Sequence, residues 1–215
     1  MPPLIPCPEP GACLLYLIRH GATPHNLQKP PRLQGSGIDG PLCDLGREQA
    51  ERVAGVLAAR PITRIAASPM KRAMETAGAI AERHGLSVEA MPGVIEADVG
   101  DWEGRSWPEI QAGDAENYAR FRSDPSTFGY PGGETIAGLL ERTRGALDAV
   151  MQQSIGQQLV VVAHSAVIRT YMGSLLGIVP GAGAGVPVMN CAVNVVQWKD
   201  GRATALTVNA VDHLM

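Results

Sequence analysis

The chain has 215 residues, of which 45% are hydrophobic and 18% charged, an ordinary composition for a folded globular protein. Its 18 Lys and Arg against 21 Asp and Glu leave a net charge of −3, so no broad basic field exists for nucleic acid or anionic lipid, and any anion must be bound locally. Four scattered cysteines, Cys7, Cys13, Cys43 and Cys191, form neither a C-x-x-C pair nor a disulfide framework, which fits a reducing cytoplasm.

In chain order, the apolar run Leu14 to Ile18 reads as a strand buried on both faces, central in a parallel sheet, with His20 at its carboxyl end. The run is too short to span a membrane, and the proline-rich segment before it lacks the basic start of a signal peptide. Leu45, Gln49, Val53, Val56 and Leu57 recur at helical spacing between Asp44, the expected N-cap, and about Ala59. A shorter strand is predicted over Arg64 to Ser68, and Pro69 opens a helix through Met74, Ala77 and Ile80 that stops at Gly85.

Ser87 to Met91 reads as a third strand. After it comes a Gly-rich, acidic stretch from Pro92 to Ser106, then a predicted helix from Trp107 to about Arg122. A long helical pattern runs from Glu134 through Val150, and Gln158 to Ala163 is a second buried strand leading into His164. A helix over Val167 to Leu176, a Gly/Pro-rich loop over Gly177 to Pro187 and a hairpin turning at Asp200-Gly201 complete the chain. Strands alternating with helices predict a three-layer α/β sandwich with a mostly parallel central sheet, in a single domain over residues 1–215 with residues 92–133 as a cap.

Two histidines, His20 and His164, thus end two central strands, where open α/β sheets place their ligand crevice. Either one alone reads equally well as a hydrogen-bonded core residue; the pair points to a site. Arg19 beside His20, and Arg72 at a helix start, add guanidinium forks that match phosphate oxygens. His84, in the last turn of a helix, His213 in the tail and His25 in a loop read as structural, and Trp102, Trp107 and Tyr130 as a wall over the crevice or as core.

The strings Leu17-Ile18-Arg19-His20-Gly21-Ala22-Thr23, Ser68-Pro69-Met70-Lys71-Arg72-Ala73, Glu96…Gly100-Asp101-Trp102-Glu103-Gly104 and Val161-Val162-Ala163-His164, in this order, resemble the histidine phosphatase superfamily, the phosphoglycerate-mutase-like proteins. The resemblance implies that His20 is the nucleophile, that Arg19, Arg72 and His164 hold the phosphoryl group, and that Glu96 is the general acid. A solvated loop acid is the plain alternative for Glu96, as for Asp98, Asp101 and Glu103. Gly21 is expected to let backbone approach the phosphate, and Thr23, Asn26 and Ser165 to contact substrate, with an Asx turn or cap as the alternative for Asn26.

Neither a metal nor an organic cofactor is then required. The implied partner is a small phosphorylated substrate, with no nucleic acid or membrane, and the terminal hairpin edge could pair two chains as a homodimer. The mutase subgroup carries an E-R-x-Y-G string where this chain reads Glu96-Ala97-Asp98-Val99-Gly100, so hydrolysis is favoured over isomerisation. A mutase and a catalytically silent phospho-ligand binding module remain the alternatives, and Ser165-Ala166 in place of two glycines is expected to narrow the pocket beside His164.

Overall fold

The computed structural model describes residues 9–178 and 185–215; Cys7 and part of the loop predicted over Gly177 to Pro187 lie outside them. Six strands form one sheet: β1 (Cys13–Arg19), β2 (Ile62–Ala67), β3 (Val88–Ala90), β4 (Gln158–Ala163), β5 (Val193–Lys199) and β6 (Arg202–Ala210), in the order β3-β2-β4-β1-β5-β6. From β3 to β1 the pairing is parallel, and β5 and β6 add antiparallel ladders at one side. The sheet is therefore mostly parallel, as expected.

Side chains alternate across a strand, so a strand covered on both faces sends its residues to two cores in turn. In β1, Leu14, Tyr16 and Ile18 join one core with α2 (Asp44–Leu57) and α3 (Lys71–His84). Cys13, Leu15 and Leu17 join the other, with α7 (Ile136–Gln153) and α8 (Ser165–Leu175). These helices on opposite faces make the three layers of the sandwich.

Some expectations shift at the boundaries. Asp44 is the first helical residue of α2 and Cys43 its N-cap. The helix expected from Trp107 to Arg122 is two, α4 (Trp107–Gly113) and α5 (Ala115–Ser123), because Asp114 leaves helical geometry and turns its carboxylate to the Trp102 indole N–H at 2.8 Å. Two one-turn helices had no signal of their own, α1 (Pro24–Leu27), capped by Thr23, and α6 (Pro125–Phe128), capped by Asp124. The last hairpin turns at Asp200 and Gly201, both at positive φ (52° and 74°), as a two-residue primed turn demands.

The chain leaves β1 toward the α2 face and leaves the adjacent β4 toward the α8 face. A crevice opens where neighbouring parallel strands send their connections to opposite sides. It sits at the carboxyl ends of β1 and β4. Among the described residues no helix is long and apolar enough to cross a membrane.

Candidate active site

Strand pairing brings the two histidines together. Arg19 is in register with Ala163, so His20 and His164 follow as the next pair, and their rings stand 5.2 Å apart between centroids. His20 Nδ1 lies 2.7 Å from the Gly21 carbonyl oxygen. A carbonyl only accepts, so Nδ1 carries the proton and Nε2 keeps its lone pair. Burial, then the charges of Arg19 and Arg72, hold His20 well below its ordinary pKa, so the ring is neutral in the neutral range.

The loop after β1 is held from two sides. Gly21 N–H donates to Thr76 Oγ1 at 3.0 Å, and a Cβ on Gly21 would lie 2.3 Å from the Gly46 carbonyl oxygen of α2. The missing side chain at Gly21 thus admits α2, and the residue is absent from the cavity lining. From the other side Asn190 donates to His20 O at 3.0 Å and to Asn26 Oδ1 at 3.2 Å, while Cys191 N–H donates to Arg19 O at 3.0 Å.

Arg72, fully buried, gives its terminal nitrogens to the carbonyls of Ile38 (2.7 Å), Gly35 (3.2 Å) and Gln34 (3.4 Å), and Arg19 gives one to Val188 O at 2.8 Å. Arg19 Nε, Arg72 Nε and both ring nitrogens of His164 are buried with no hydrogen-bond partner among the described residues. Buried polar atoms are nearly always satisfied, and these lie on groups close enough to shift one another's charge. Burial draws Arg19 down to about 10 and lowers Arg72 and His164 as well. A compact anion can accept from the two Nε–H groups and from the His164 nitrogen that carries the proton.

Glu96 is buried at the amino end of α8, its carboxylate accepting from Ala97 N–H (2.9 Å) and Ala166 N–H (3.3 Å). Burial raises its pKa against the opposing pull of those two amides, Arg72 and Arg19. Burial thus favours the protonated carboxyl at Glu96 as it favours the neutral imidazole at His20. Among the acids of its cluster Glu96 alone lines the cavity, and Asp98, Asp101 and Glu103 lie outside it.

The cavity above has a volume of about 710 Å³, with Arg19, His20 and Glu96 among its lining residues; Arg72 and His164 lie beneath that lining. Asn26 and Ser165 face it. Thr23 does not: it is fully buried, its hydroxyl donates to Gln34 Oε1 at 2.8 Å, and its N–H donates to Asn26 Oδ1 in a capping box. Asn26 is thus both cap and lining. Ser165 and Ala166 face the cavity where they were expected to narrow it, and the Ala166 amide reaches Glu96.

Of the three aromatics, Trp107 and Tyr130 line the cavity, whereas Trp102 is fully buried behind them, edge-on to Phe121, Trp107 and Tyr130. Arg122 and Arg169 also line it, with no acidic partner among the described residues, and sequence reasoning missed both. Arg169 had a signal: Ser165, Ala166, Arg169, Thr170 and Gly173 share one face of α8, opposite its buried Val167, Ile168, Tyr171 and Met172. No three His, Cys, Asp or Glu side chains cluster as metal ligands among the described residues.

Residues 15–211 match the histidine phosphatase superfamily, branch 1. Phosphoserine phosphatase 1 of Hydrogenobacter thermophilus is 30% identical over 200 residues, covering 93% of both chains. Phosphoglycerate mutase-like protein 4 of Arabidopsis thaliana is 33% identical, covering 93% of this chain and 86% of its own. The crystal structure of a phosphoserine phosphatase from Entamoeba histolytica in complex with 3-phosphoglyceric acid superposes with a TM-score of 0.82 at 29% identity, covering 94% of this chain and all (100%) of that one.

Proposed function

The chain belongs to the histidine phosphatase superfamily, and from that premise we propose that it is a metal-independent phosphomonoesterase whose reaction runs through a phosphohistidine on His20. His20 Nε2 attacks phosphorus with its free lone pair, and the bond to the leaving alkoxide breaks as the Glu96 carboxyl gives that oxygen its proton. Water then attacks the phosphohistidine, the phosphorus–nitrogen bond breaks, and the Glu96 carboxylate takes the proton from the water. Arg19, Arg72 and His164 carry the charge on the equatorial oxygens throughout. One observation carries this reading: the buried donors of Arg19, Arg72 and His164 that no group among the described residues satisfies, gathered around an imidazole fixed in the tautomer that leaves Nε2 open.

The substrate is a small phosphomonoester, and Arg122 and Arg169 support one with a second acidic group, as in the phosphoserine and 3-phosphoglycerate of the relatives. Residues 92–133, which supply Trp107, Tyr118, Phe121 and Arg122 to the cavity, act as the cap that sets specificity.

The test is phosphate release from a panel of phosphomonoesters, phosphoserine and 3-phosphoglycerate included, with chelator present and His20→Ala as control. Release that vanishes in the variant, with an acid-labile phosphoenzyme trapped in the wild type, is the expected result. Loss of activity on chelation would overturn the metal-free reading. Interconversion of phosphoglycerates without phosphate release would make the protein an isomerase.

A further inference from the structure

Glu103 belongs to one of the strings that carried the family resemblance, yet it is not in the lining of the active-site cavity and moves no proton in the reaction above. Its carboxylate grips backbone instead: Oε1 accepts from Gly35 N–H at 2.6 Å and Oε2 from Gly37 N–H at 3.1 Å. The same short loop turns its carbonyls to Arg72, whose guanidinium donates to Gln34, Gly35 and Ile38. Residues 34–38 therefore have a carboxylate on their amides and a guanidinium on their carbonyls. The fit is close, since a Cβ on Gly35 would lie 2.7 Å from Ala97 O and 2.8 Å from Glu103 Oε2.

We propose that Glu103 is a positioning residue for Arg72: by holding the Gly35 and Gly37 amides it fixes the carbonyls that aim the Arg72 guanidinium at the transferring phosphoryl group. Charge-assisted bonds to amides are strong enough to order such a loop, and transition-state stabilisation is sensitive to small displacements of the donor. The proposal rests on the reading of Arg72 as a phosphoryl ligand.

Two other roles for Glu103 make opposite predictions. A nearby negative charge acting only through space would repel an anion at Arg72, so its removal would tighten anion binding. An influence on Glu96, whose neighbour Ala97 accepts from Ser36 N–H at 3.0 Å, would appear only where the leaving group needs a proton.

The experiment compares Glu103→Gln and Glu103→Asp with the wild type, reading competitive inhibition by orthovanadate, kcat/KM on an aryl and on an alkyl phosphate, and the melting temperature. Glu103→Asp keeps the charge but retracts it by one carbon, so the two variants separate charge from reach. Expected are vanadate binding weaker by about tenfold or more in both, and kcat/KM lower by about 10- to 100-fold to the same extent on both esters. In an Arg72→Ala background, Glu103→Gln should then cost less than about twofold more, since the two act as one unit. Tighter vanadate binding in Glu103→Gln, wild-type binding in Glu103→Asp, a loss confined to the alkyl ester, or a full additional loss without Arg72 would each overturn the proposal. A wild type that neither binds vanadate nor hydrolyses the esters would overturn the phosphatase reading, and this inference with it.

Discussion

His20 and Glu96 are driven to their neutral forms by one cause, burial at the end of β1 and at the start of α8. Burial lowers the imidazole and raises the carboxyl, which favours an unprotonated base and a protonated acid in one site. In kcat/KM the acid limb, from protonation of His20, should lie below the ordinary 6.5 of histidine, and the alkaline limb, from ionisation of Glu96, above the ordinary 4.5 of glutamate. An acid limb centred at or above the ordinary imidazole value would show that His20 is not the group titrating. Glu96→Gln should cost an alkyl phosphate about 10²- to 10⁴-fold in kcat and leave p-nitrophenyl phosphate, whose alcohol departs unaided, far less affected. Equal losses would remove Glu96 from the acid role. Sequence alone could mark the two histidines, since each ends an apolar run, but the burial that makes Glu96 an acid comes from α8, some 70 residues away, and only the resemblance separated it from Asp98 and Asp101.

Among the elements, α2 does more than cover the sheet. Its first turn carries Gly46 against the loop that follows His20, and a Cβ there would meet Ala22 O at 2.0 Å and Ala22 N at 2.8 Å. Gly55, farther along the same helix, has nothing within 4 Å of the corresponding position. The two substitutions should therefore have opposite signs in urea unfolding. Gly46→Ala should destabilise by about 1–3 kcal/mol through overpacking and lower kcat by moving the His20 loop, whereas Gly55→Ala should stabilise by about 0.5–1 kcal/mol from helix propensity. A neutral Gly46→Ala with unchanged kcat would mean that α2 does not set the loop. The regular elements were legible because their periodicities are strong: β4 spans Gln158–Ala163 as expected, and Gly85 ends α3 in the left-handed conformation. The segment between β3 and α7 was not, because Asp114 breaks its helix for a tertiary reason, the Trp102 indole, that local sequence does not contain.

At the scale of the whole molecule, the site exists because β4 inserts between β1 and β2, an order that follows from pairing across 140 residues and from no local pattern. That insertion buries two neutral histidines side by side, which makes the stability of the fold depend on pH. Both His20 and His164 have folded pKa values below the unfolded one, so the unfolded chain binds more protons as pH falls past about 6.5. Their contribution is fully present above that value and is lost on acidification, at up to about 1.4 kcal/mol per pH unit for each. Glu96 works the other way: its raised folded value makes the native state the better proton binder, so it gains stability as pH falls toward 4.5. These two histidines and His213, which burial also lowers, against one glutamate leave a net fall between pH 6.5 and about 5, above the range where ordinary carboxylates titrate. Urea midpoints measured through that window should decline in the wild type, decline less steeply in His164→Gln, and decline more steeply in Glu96→Gln. A flat wild-type curve, or the same slope in all three proteins, would mean that these groups are not held neutral by the fold, and the chemical argument built on their neutrality would fail with it.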